Sequence, residues 1–453
     1  MMNRRQFLTT LAATTALIPA ATLKAYASSA LAQALSKGNS GDWDTARAEA
    51  RRAGPLGFDI VEWNRLRAGE GTFADYLDFA TRRADWPGMH LLRRKGEDTL
   101  DGIPPGEVIR YFQLGAPQTG TGALALIAAH LALGQKSAAS DVARTAWRNL
   151  AMSTDEQAQF VQTYPTLIAG NSGGRMQNML DRGELTQARQ MLSLVSSGTR
   201  AVAEARIALQ ARADGVDALV AAVPDYMVQR SAGLARDRAW WRWRAGLEDG
   251  AAELILERSD SAADLEDPAL WARLRGYQSR WDLRNGNTKR AYQLAASHRL
   301  TPGGADFADL EWVSGYAALK LGDPTTALRH FQALEQAVDG PISSARAHYW
   351  QGRAYEVLGQ SAKAQAAWTR GAGEQTAYYG LLSAERLGRS LPAVYRSGVS
   401  LPNWHEYKFR HSSVFQAAEL LYEADERELA ARFILHLESS RLLHSDGRRR
   451  SAI

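Results

Sequence analysis

A recurring spacing of glycine and alanine constrains the fold of this chain more than any other feature. In the clearest copy Gly322 is followed by Ala327 and then by Phe331. A second copy (Gly359, Ala364, Trp368) begins 37 residues later. Further copies lie upstream: Gly286 with Ala291 and Ala295, Gly246 with Ala251 and Ile255, Gly183 with Ala188 and Leu192, Gly134 with Ala139 and Ala143, and Gly41 with Ala46 and Ala50. So many copies in one chain indicate a repeat protein.

The spacing has a direct physical interpretation. A glycine that ends a helix can adopt the left-handed backbone conformation that the turn requires. The alanine then lets the next helix pack closely, and the larger third residue fills the groove between neighbouring hairpins. Gly315 and Gly352, upstream of the two clearest copies, keep the same 37-residue interval. Repeats of roughly 34 residues are typical of TPR-like solenoids, so we expect an all-α fold, a TPR-like superhelix of helical hairpins.

Composition supports this fold class and excludes some kinds of site. The 453 residues lack long alternating runs of valine and isoleucine, and we identify no convincing strand. The formal charge of +5 falls to +2 without residues 1–27, which hold Arg4, Arg5 and Lys24 and no acidic residue. Such a small charge gives no electrostatic case for a nucleic-acid partner. The absence of cysteine excludes disulfides and thiolate metal sites.

Residues 1–27 are typical of an export signal. Arg4 and Arg5 precede a mildly apolar run over residues 7–23, and residues 25–27 (Ala-Tyr-Ala) form a small-x-small cleavage site. We therefore expect a twin-arginine-like signal peptide, cleavage after Ala27 and a periplasmic protein. The apolar run is too short and too mild for a membrane span, so no transmembrane span is expected. A cut after Ala32 and an uncleaved amphipathic helix are the alternatives.

Motifs for metal or cofactor chemistry are missing. The nine histidines are scattered, and His436 and His444 have no carboxylate partner in register. Neither a P-loop nor a Gly-x-Gly-x-x-Gly sequence occurs. We expect no metal, no cofactor and no nucleotide. The arginine pairs at residues 51–52, 82–83 and 93–94 are interpreted as solvated helix faces.

The segment Trp-Trp-Arg-Trp-Arg at residues 240–244 could stack on a sugar and bind its carboxylates. We favour a packing role instead, in which Trp240 and Trp243 share one face, fill a groove between hairpins and leave Arg242 in solvent. Trp350 and Trp368 occupy repeat positions and are interpreted as packing residues for the same reason.

Several stretches carry a resemblance to a known family. They are residues 345–354 and 378–388, residues 62–88 with their Trp-Pro-Gly turn, and residues 104–147. Together they resemble the soluble lytic murein transglycosylases of Gram-negative bacteria. The resemblance implies a superhelix that closes into a U or a ring, followed by a linker domain and a lysozyme-like catalytic domain. It also implies peptidoglycan glycan strands as the partner, cleaved without hydrolysis between N-acetylmuramic acid and N-acetylglucosamine to leave 1,6-anhydro ends.

The catalytic part of that family has no counterpart in this sequence. Its Glu-Ser pair could correspond only to Glu438 and Ser439, which lie at the end of an amphipathic helix with no Gly-Leu-Met-Gln run after them. A single general acid without a folded cleft cannot perform this chemistry. We therefore expect no catalytic residue.

The predicted organisation is an export signal at 1–27, a superhelical domain at 28–392, a helical linker region at 393–437 and a basic, disordered tail at 438–453. A frameshift, a split gene or a genuine short paralogue would each produce such an ending. The predicted function is the periplasmic scaffold of a lytic transglycosylase, truncated and inactive alone. The alternative is a stand-alone periplasmic TPR-like scaffold that binds other proteins.

Overall fold

The structure, a computed structural model, describes residues 20–168, 170–390, 403 and 406–439. These residues form helices joined by short turns, and no strand occurs among them. The predicted all-α, TPR-like superhelical fold is confirmed. Most of the signal peptide, the 392/393 domain boundary and residues 440–453 of the predicted tail lie outside the described residues.

The helices of the first part of the chain are α1 (Ala20–Asn39), α2 (Trp43–Ala50), α3 (Gly54–Ala68), α4 (Phe73–Arg82), α5 (Met89–Gly96), α6 (Pro105–Phe112), α7 (Gly120–Ala132), α8 (Lys136–Asn149), α9 (Thr154–Thr163), α10 (Pro165–Ile168), α11 (Ser172–Asp181), α12 (Leu185–Gln190), α13 (Ser197–Ala211), α14 (Val216–Ala221) and α15 (Asp225–Arg230). Those of the second part are α16 (Ala232–Arg244), α17 (Glu248–Glu257), α18 (Ala262–Leu265), α19 (Ala269–Arg284), α20 (Thr288–Ala296), α21 (Gly304–Lys320), α22 (Pro324–Ala337), α23 (Pro341–Val357), α24 (Ser361–Gly371), α25 (Tyr378–Arg386), α26 (Ser413–Glu423) and α27 (Arg427–Ser439).

The glycine–alanine spacing has the structural basis that the sequence predicts. All of the glycines that open a copy have a positive φ, between 71° and 83°. The alanines that follow them are buried, and so are the third residues Phe331 and Trp368. One copy departs from the pattern: Leu192 is only half-buried, and Met191 takes the buried position. Helix α12 ends at Gln190 and a 3-10 turn follows, which rotates Leu192 away from the groove.

The upstream glycines are points of close helix contact. A Cβ atom on Gly315 would lie 2.5 Å from the Phe331 ring, and one on Gly352 would collide with the Trp368 indole. Both aromatic residues belong to the second helix of the same hairpin, α22 or α24. The missing side chain therefore makes room for the large third residue of the repeat.

The chain divides into two compact units, and the division falls after Ala143, within α8. The first unit holds α1 to α7 together with α26 and α27. Its hydrophobic core is one large cluster to which the N-terminal helices and the C-terminal hairpin both contribute. The indoles of Trp63 and Trp86 lie 5.0 and 5.1 Å from the Phe433 ring, measured between ring centroids. The two ends of the described chain thus share one core.

The second unit holds α9 to α25, and its apolar residues form a series of small clusters. Each cluster joins side chains from consecutive helices, as where α16, α17, α19 and α20 meet around Trp271. Further clusters follow along α21 to α25. Because each hairpin contacts mainly its neighbours, this unit has the quasi-one-dimensional organisation of a repeat protein.

Two fully buried arginines reinforce the second unit without any carboxylate partner among the described residues. Arg275 donates to the Leu294 carbonyl at 2.9 Å and to the Ser259 hydroxyl at 2.6 Å. Burial, aided by the charge of Arg299, lowers the pKa of Arg275 to about 10. Arg175 likewise donates to the carbonyl of Trp147 at 2.6 Å. Guanidinium groups here satisfy the carbonyls that helix ends leave unpaired.

Residues 165–175 contain Pro165 and three glycines, a composition that predicts a break in the helical run, and the structure shows a shorter break than that composition predicts. Helix α10 begins at Pro165, and α11 begins at Ser172, so only Gly170 and Asn171 are described as non-helical between them. Proline is well tolerated in the first turn of a helix, which accounts for the difference.

Among the helices that the structure describes, none is sufficiently long and apolar for a membrane crossing.

Candidate functional site

The tryptophan-rich segment at residues 240–244 lies in α16, and its tryptophan rings pack in two different places. The Trp240 and Trp243 rings meet edge to face, with centroids 5.9 Å apart, and both are only partly buried. Trp241 packs against a different cluster, around α13 and α14. The predicted shared face is therefore confirmed. The predicted exposure of Arg242 is wrong, because its guanidinium is half-buried and donates to the Gly250 carbonyl at 3.0 Å.

The next hairpin extends this aromatic surface. Tyr277 of α19 stacks on Trp243 with a centroid distance of 5.3 Å and an interplanar angle of 16°. It also meets the edge of Trp240 at 6.0 Å. Tyr277 keeps 38% of its surface exposed. Two tryptophans of one hairpin and a tyrosine of the next thus form a joint surface cluster.

A second aromatic cluster lies on α21 and α23. Trp312 stacks on Tyr316 at 5.5 Å and meets Trp350 at 6.2 Å, and Tyr316 meets Trp350 at 5.2 Å. The contacts continue to α25, where Tyr379 lies 6.4 Å from Trp350 and 5.2 Å from Tyr378. Tyr378 is 67% exposed. Trp350 therefore contributes to a surface cluster as well as to packing.

Arg280 connects the two clusters. It lies one turn after Tyr277 on α19, and its guanidinium is 5.9 Å from the centroid of the Trp312 ring. Two hydrogen bonds to Asp309, of 2.6 and 2.9 Å, hold it in place. The helices involved are neighbours, since each of α16, α19, α21, α23 and α25 contacts the next one in that order.

We call this surface the aromatic–arginine row. It is defined by Trp240, Trp243, Arg244, Arg273, Tyr277, Arg280, Trp312, Tyr316, Arg346, Trp350, Tyr378 and Tyr379. All of these residues belong to the first helix of a hairpin or to α25, which follows the last hairpin.

Guanidinium groups lie against the rings along the row. Arg244 is 4.7 Å from the Trp240 centroid, and Arg273 is 5.5 Å from the Tyr277 centroid. Arg273 also donates from Nε to the Tyr277 hydroxyl at 3.1 Å. Such cation–π contacts hold a long side chain in a fixed orientation. The arginines are therefore positioned at the surface rather than free to rotate in solvent.

Three arginines of the row form no ion pair with any described carboxylate: Arg244, Arg273 and Arg346. Burial lowers the pKa of Arg244, and the positive charges of Arg212 and Arg273 lower it further, against an opposing effect of Asp237. Burial also lowers the pKa of Arg346, where the charge of Asp309 opposes it and that of Arg280 adds to it. Arg244 and Arg273 thus repel each other, as do Arg346 and Arg280, and the row contains more arginines than ion-paired carboxylates.

The structure also shows the surroundings of Trp368 and of the arginine pairs. Trp368 is buried and donates from Nε1 to the Tyr349 carbonyl at 3.2 Å, so its predicted packing role is confirmed. The interpretation of the arginine pairs as solvated faces is wrong for Arg83, which is only partly exposed, whereas Arg82 is exposed as predicted. Both bind the buried carboxylate of Asp59, at 3.0 and 2.6 Å. Periodicity could not identify this partner, because it lies more than 20 residues away in the sequence.

Glu438 and His436, for which the sequence predicts no catalytic and no metal-binding role, lie in the last helix. Glu438 is exposed in the final turn of α27, and His436 lies 2.9 Å from the Asp85 carbonyl. His444 lies outside the described residues. No group of three or more His, Asp or Glu side chains suited to a metal ion is found in the part of the chain that the structure describes.

Among the solved structures that match, two share the fold of this chain over most of its length. The 70 kDa soluble lytic transglycosylase SLT70 from Escherichia coli matches with a TM-score of 0.53 and 13% sequence identity, over 91% of this chain and 65% of that one. The complex of the 70-kDa soluble lytic transglycosylase with bulgecin A matches with the same TM-score and identity, over 90% and 65%. This chain thus spans slightly less than two thirds of the length of those proteins. No protein-family model matches the sequence, and no curated protein matches it.

Proposed function

We propose that this chain is a periplasmic scaffold of the lytic-transglycosylase type, which binds peptidoglycan glycan strands and does not cleave them by itself. The observation that carries the proposal is the shared superhelical fold with SLT70 over 91% of this chain. At 13% identity the similarity to SLT70 is one of fold alone. The proposal of glycan binding therefore rests on the agreement between this fold and the stretches of sequence that resemble the transglycosylase family.

The stretch at residues 62–88, which resembles the transglycosylase family, organises the core of the first unit. Trp63 donates from Nε1 to the Pro87 carbonyl at 2.8 Å, across the Trp-Pro-Gly turn. Trp86 donates to the Ser413 hydroxyl at 2.9 Å. Glu62 pairs with Arg65 at 2.7 Å and with Arg47 at 2.8 Å. The residues of this stretch thus hold the first unit together. This supports the view that the family-like sequence of residues 62–88 and the fold have a common origin.

The proposal assigns no catalytic role to Glu438. A general acid in glycoside cleavage needs a protected environment that raises its pKa and holds the sugar ring. Glu438 is exposed at the end of a helix. The family reaction, which leaves 1,6-anhydro ends, is accordingly not proposed for these residues alone.

Export to the periplasm is part of the proposal, and the packing of α1 is compatible with the predicted cleavage site. Helix α1 continues through that site. Tyr26 is 58% exposed, whereas Leu31 and Leu35 are buried in the core of the first unit. Cleavage after Ala27 would keep these buried side chains, but the alternative cut after Ala32 would remove Leu31. N-terminal sequencing of the exported protein distinguishes the two.

The test is sedimentation of the purified protein with murein sacculi, followed by analysis of the soluble products. We expect the protein to sediment with the sacculi and to release no 1,6-anhydro-muropeptides, while an active lytic transglycosylase releases them under the same conditions. Release of anhydro products would overturn the non-catalytic assignment. Protein that stays in the supernatant at low salt would overturn peptidoglycan binding.

A second candidate function is a scaffold that binds other periplasmic proteins. The hairpin organisation of the second unit favours it, because stacked helical hairpins present extended surfaces to which protein partners bind. Affinity capture from a periplasmic extract separates the candidates. Recovery of a stoichiometric protein partner, with no retention on sacculi, would favour the second.

A further inference from the structure

We infer that the aromatic–arginine row is the surface on which this protein binds a glycan strand of peptidoglycan, with its arginines on the strand's carboxylates and its exposed tyrosines on the sugar faces. This inference rests on the proposed function and adds the binding surface and the chemical groups recognised.

The row has an extended form that suits a linear polymer. It crosses five neighbouring helices, α16, α19, α21, α23 and α25, and every one contributes at least one aromatic ring. Consecutive packed helices lie about 10 Å apart. A strand laid across the helices would therefore meet aromatic rings at successive positions along its length.

Charge complementarity identifies the occupant as acidic. Arg244, Arg273 and Arg346 have no ion-pair partner among the described carboxylates, yet cation–π contacts hold each of them against a ring. A carboxylate would relieve the repulsion between Arg244 and Arg273 and could form charge-assisted hydrogen bonds with any of the three arginines. Peptidoglycan strands carry carboxylates at regular intervals, on the peptide stems attached to the muramic acid residues.

The rings offer a complementary apolar surface. Tyr277 and Tyr378 are the most exposed aromatic residues of the row. Aromatic faces pack well against the C–H faces of sugar rings, since both are flat and apolar, while the phenol hydroxyl can bond to a polar substituent. Here the guanidinium groups lie directly on the aromatic rings, so the row offers an apolar surface for sugar rings and cations for carboxylates side by side.

The test compares two triple variants of the full-length protein that lose the same charge. Arg244→Gln, Arg273→Gln and Arg346→Gln together remove the unpaired cations of the row. Arg189→Gln, Lys289→Gln and Arg329→Gln together remove three exposed cations from second helices outside it. The probe is a preparation of soluble, uncrosslinked glycan strands that retain their peptide stems. Circular dichroism and thermal unfolding verify that both variants are folded.

We expect the row variant to bind the strands at least about tenfold more weakly, with a shallower dependence on salt, since each surface charge pair contributes up to about 1 kcal/mol. The control variant should stay within about twofold of the wild type by the same reasoning. Strands whose carboxyl groups have been converted to amides should bind weakly to the wild type, and the row variant should no longer differ from it. Tyr277→Leu with Tyr378→Leu tests the stacking contribution separately.

The outcomes separate this inference from the proposed function. If the wild type binds no peptidoglycan, the proposed function is wrong and the inference falls with it. If the wild type binds and the row variant binds equally well, only the inference is overturned. Loss of a captured periplasmic protein from the row variant, with unchanged binding to the strands, would show that the row is a protein interface and would also overturn the inference.

Discussion

At the residue scale, a buried carboxylate joins three elements of the second unit. Glu311 of α21 is only 8% exposed and accepts hydrogen bonds from His298 at 3.0 Å and His330 at 2.7 Å. The other ring nitrogen of His298, Nδ1, accepts from the Leu300 N–H at 2.9 Å. The buried carboxylate of Glu311 therefore accepts one hydrogen bond from each of two histidines.

The first prediction concerns the acid stability of this site. Burial by itself would raise the pKa of Glu311, but the hydrogen bonds and charges of His298 and His330 outweigh it and bring the pKa to about 2, from 4.5. A carboxyl whose pKa is depressed by folding stabilises the protein above its unfolded pKa, and the contribution is lost as the pH falls through the folded value. Stability should therefore decline between about pH 4.5 and pH 2.

Glu311→Gln should lower the free energy of unfolding at pH 7 by about 2 kcal/mol, since it removes a charged acceptor from two donors. The difference from wild type should shrink as the pH approaches 2. Urea denaturation at several pH values measures both effects, with the exposed Glu253→Gln as control. A constant difference at all pH values would show that the carboxylate charge is not involved.

At the element scale, the hairpin is the unit that determines packing. Gly352 in α23 faces Trp368 in α24, just as Gly315 in α21 faces Phe331 in α22. Each pair joins the two helices of one hairpin, and the second copy repeats the first at an interval of 37 residues. The glycine sets how closely the helices approach, and the aromatic ring fills the space.

The second prediction tests this contact. Gly352→Ala should destabilise the protein by about 1–3 kcal/mol, because the new methyl group overlaps the Trp368 indole and forces the helices apart. The matched control is Gly106→Ala in α6, where an added Cβ meets nothing within 4 Å. Alanine there should be neutral or slightly stabilising, because it is the better helix former. Thermal unfolding of both variants measures the contrast, and equal melting temperatures would contradict the close-contact role.

Features within one hairpin can be predicted from the sequence, whereas contacts between hairpins cannot. Glycine, alanine and the third position act through local backbone geometry, so their spacing predicts the turns at these glycines and the buried alanines that follow them. The aromatic–arginine row depends on contacts between hairpins, such as Trp243 with Tyr277 and Arg280 with Trp312. Those contacts require the register of one hairpin against the next, which no local pattern contains. The sequence accordingly points to residues 240–244 but misses Tyr277, Arg280 and Arg346 as parts of the same surface.

At the scale of the whole molecule, the C-terminal hairpin belongs to the core of the first unit. Phe433 of α27 is fully buried between Trp63 and Trp86, and Ser413 of α26 accepts the Trp86 indole hydrogen bond. The sequence assigns residues 393–437 to a linker region, a boundary that stays a prediction. The described helices in that range nevertheless have a defined structural role, since Val414, Leu421 and Phe433 belong to the core that they share with α1 to α7.

The last prediction follows from this dependence. Phe433→Ala should destabilise the first unit by about 3–4 kcal/mol, because it leaves a cavity between two indoles. Hydrogen–deuterium exchange should accelerate in α3, α4 and α26, which contribute to the same core, and stay unchanged in α19 to α24 of the second unit. Ile434→Ala on the same helix is the control, since Ile434 is 44% exposed, and it should alter neither unit. If Phe433→Ala leaves exchange in α3 unchanged, the C-terminal hairpin does not stabilise the N-terminal helices, and the shared core is wrong.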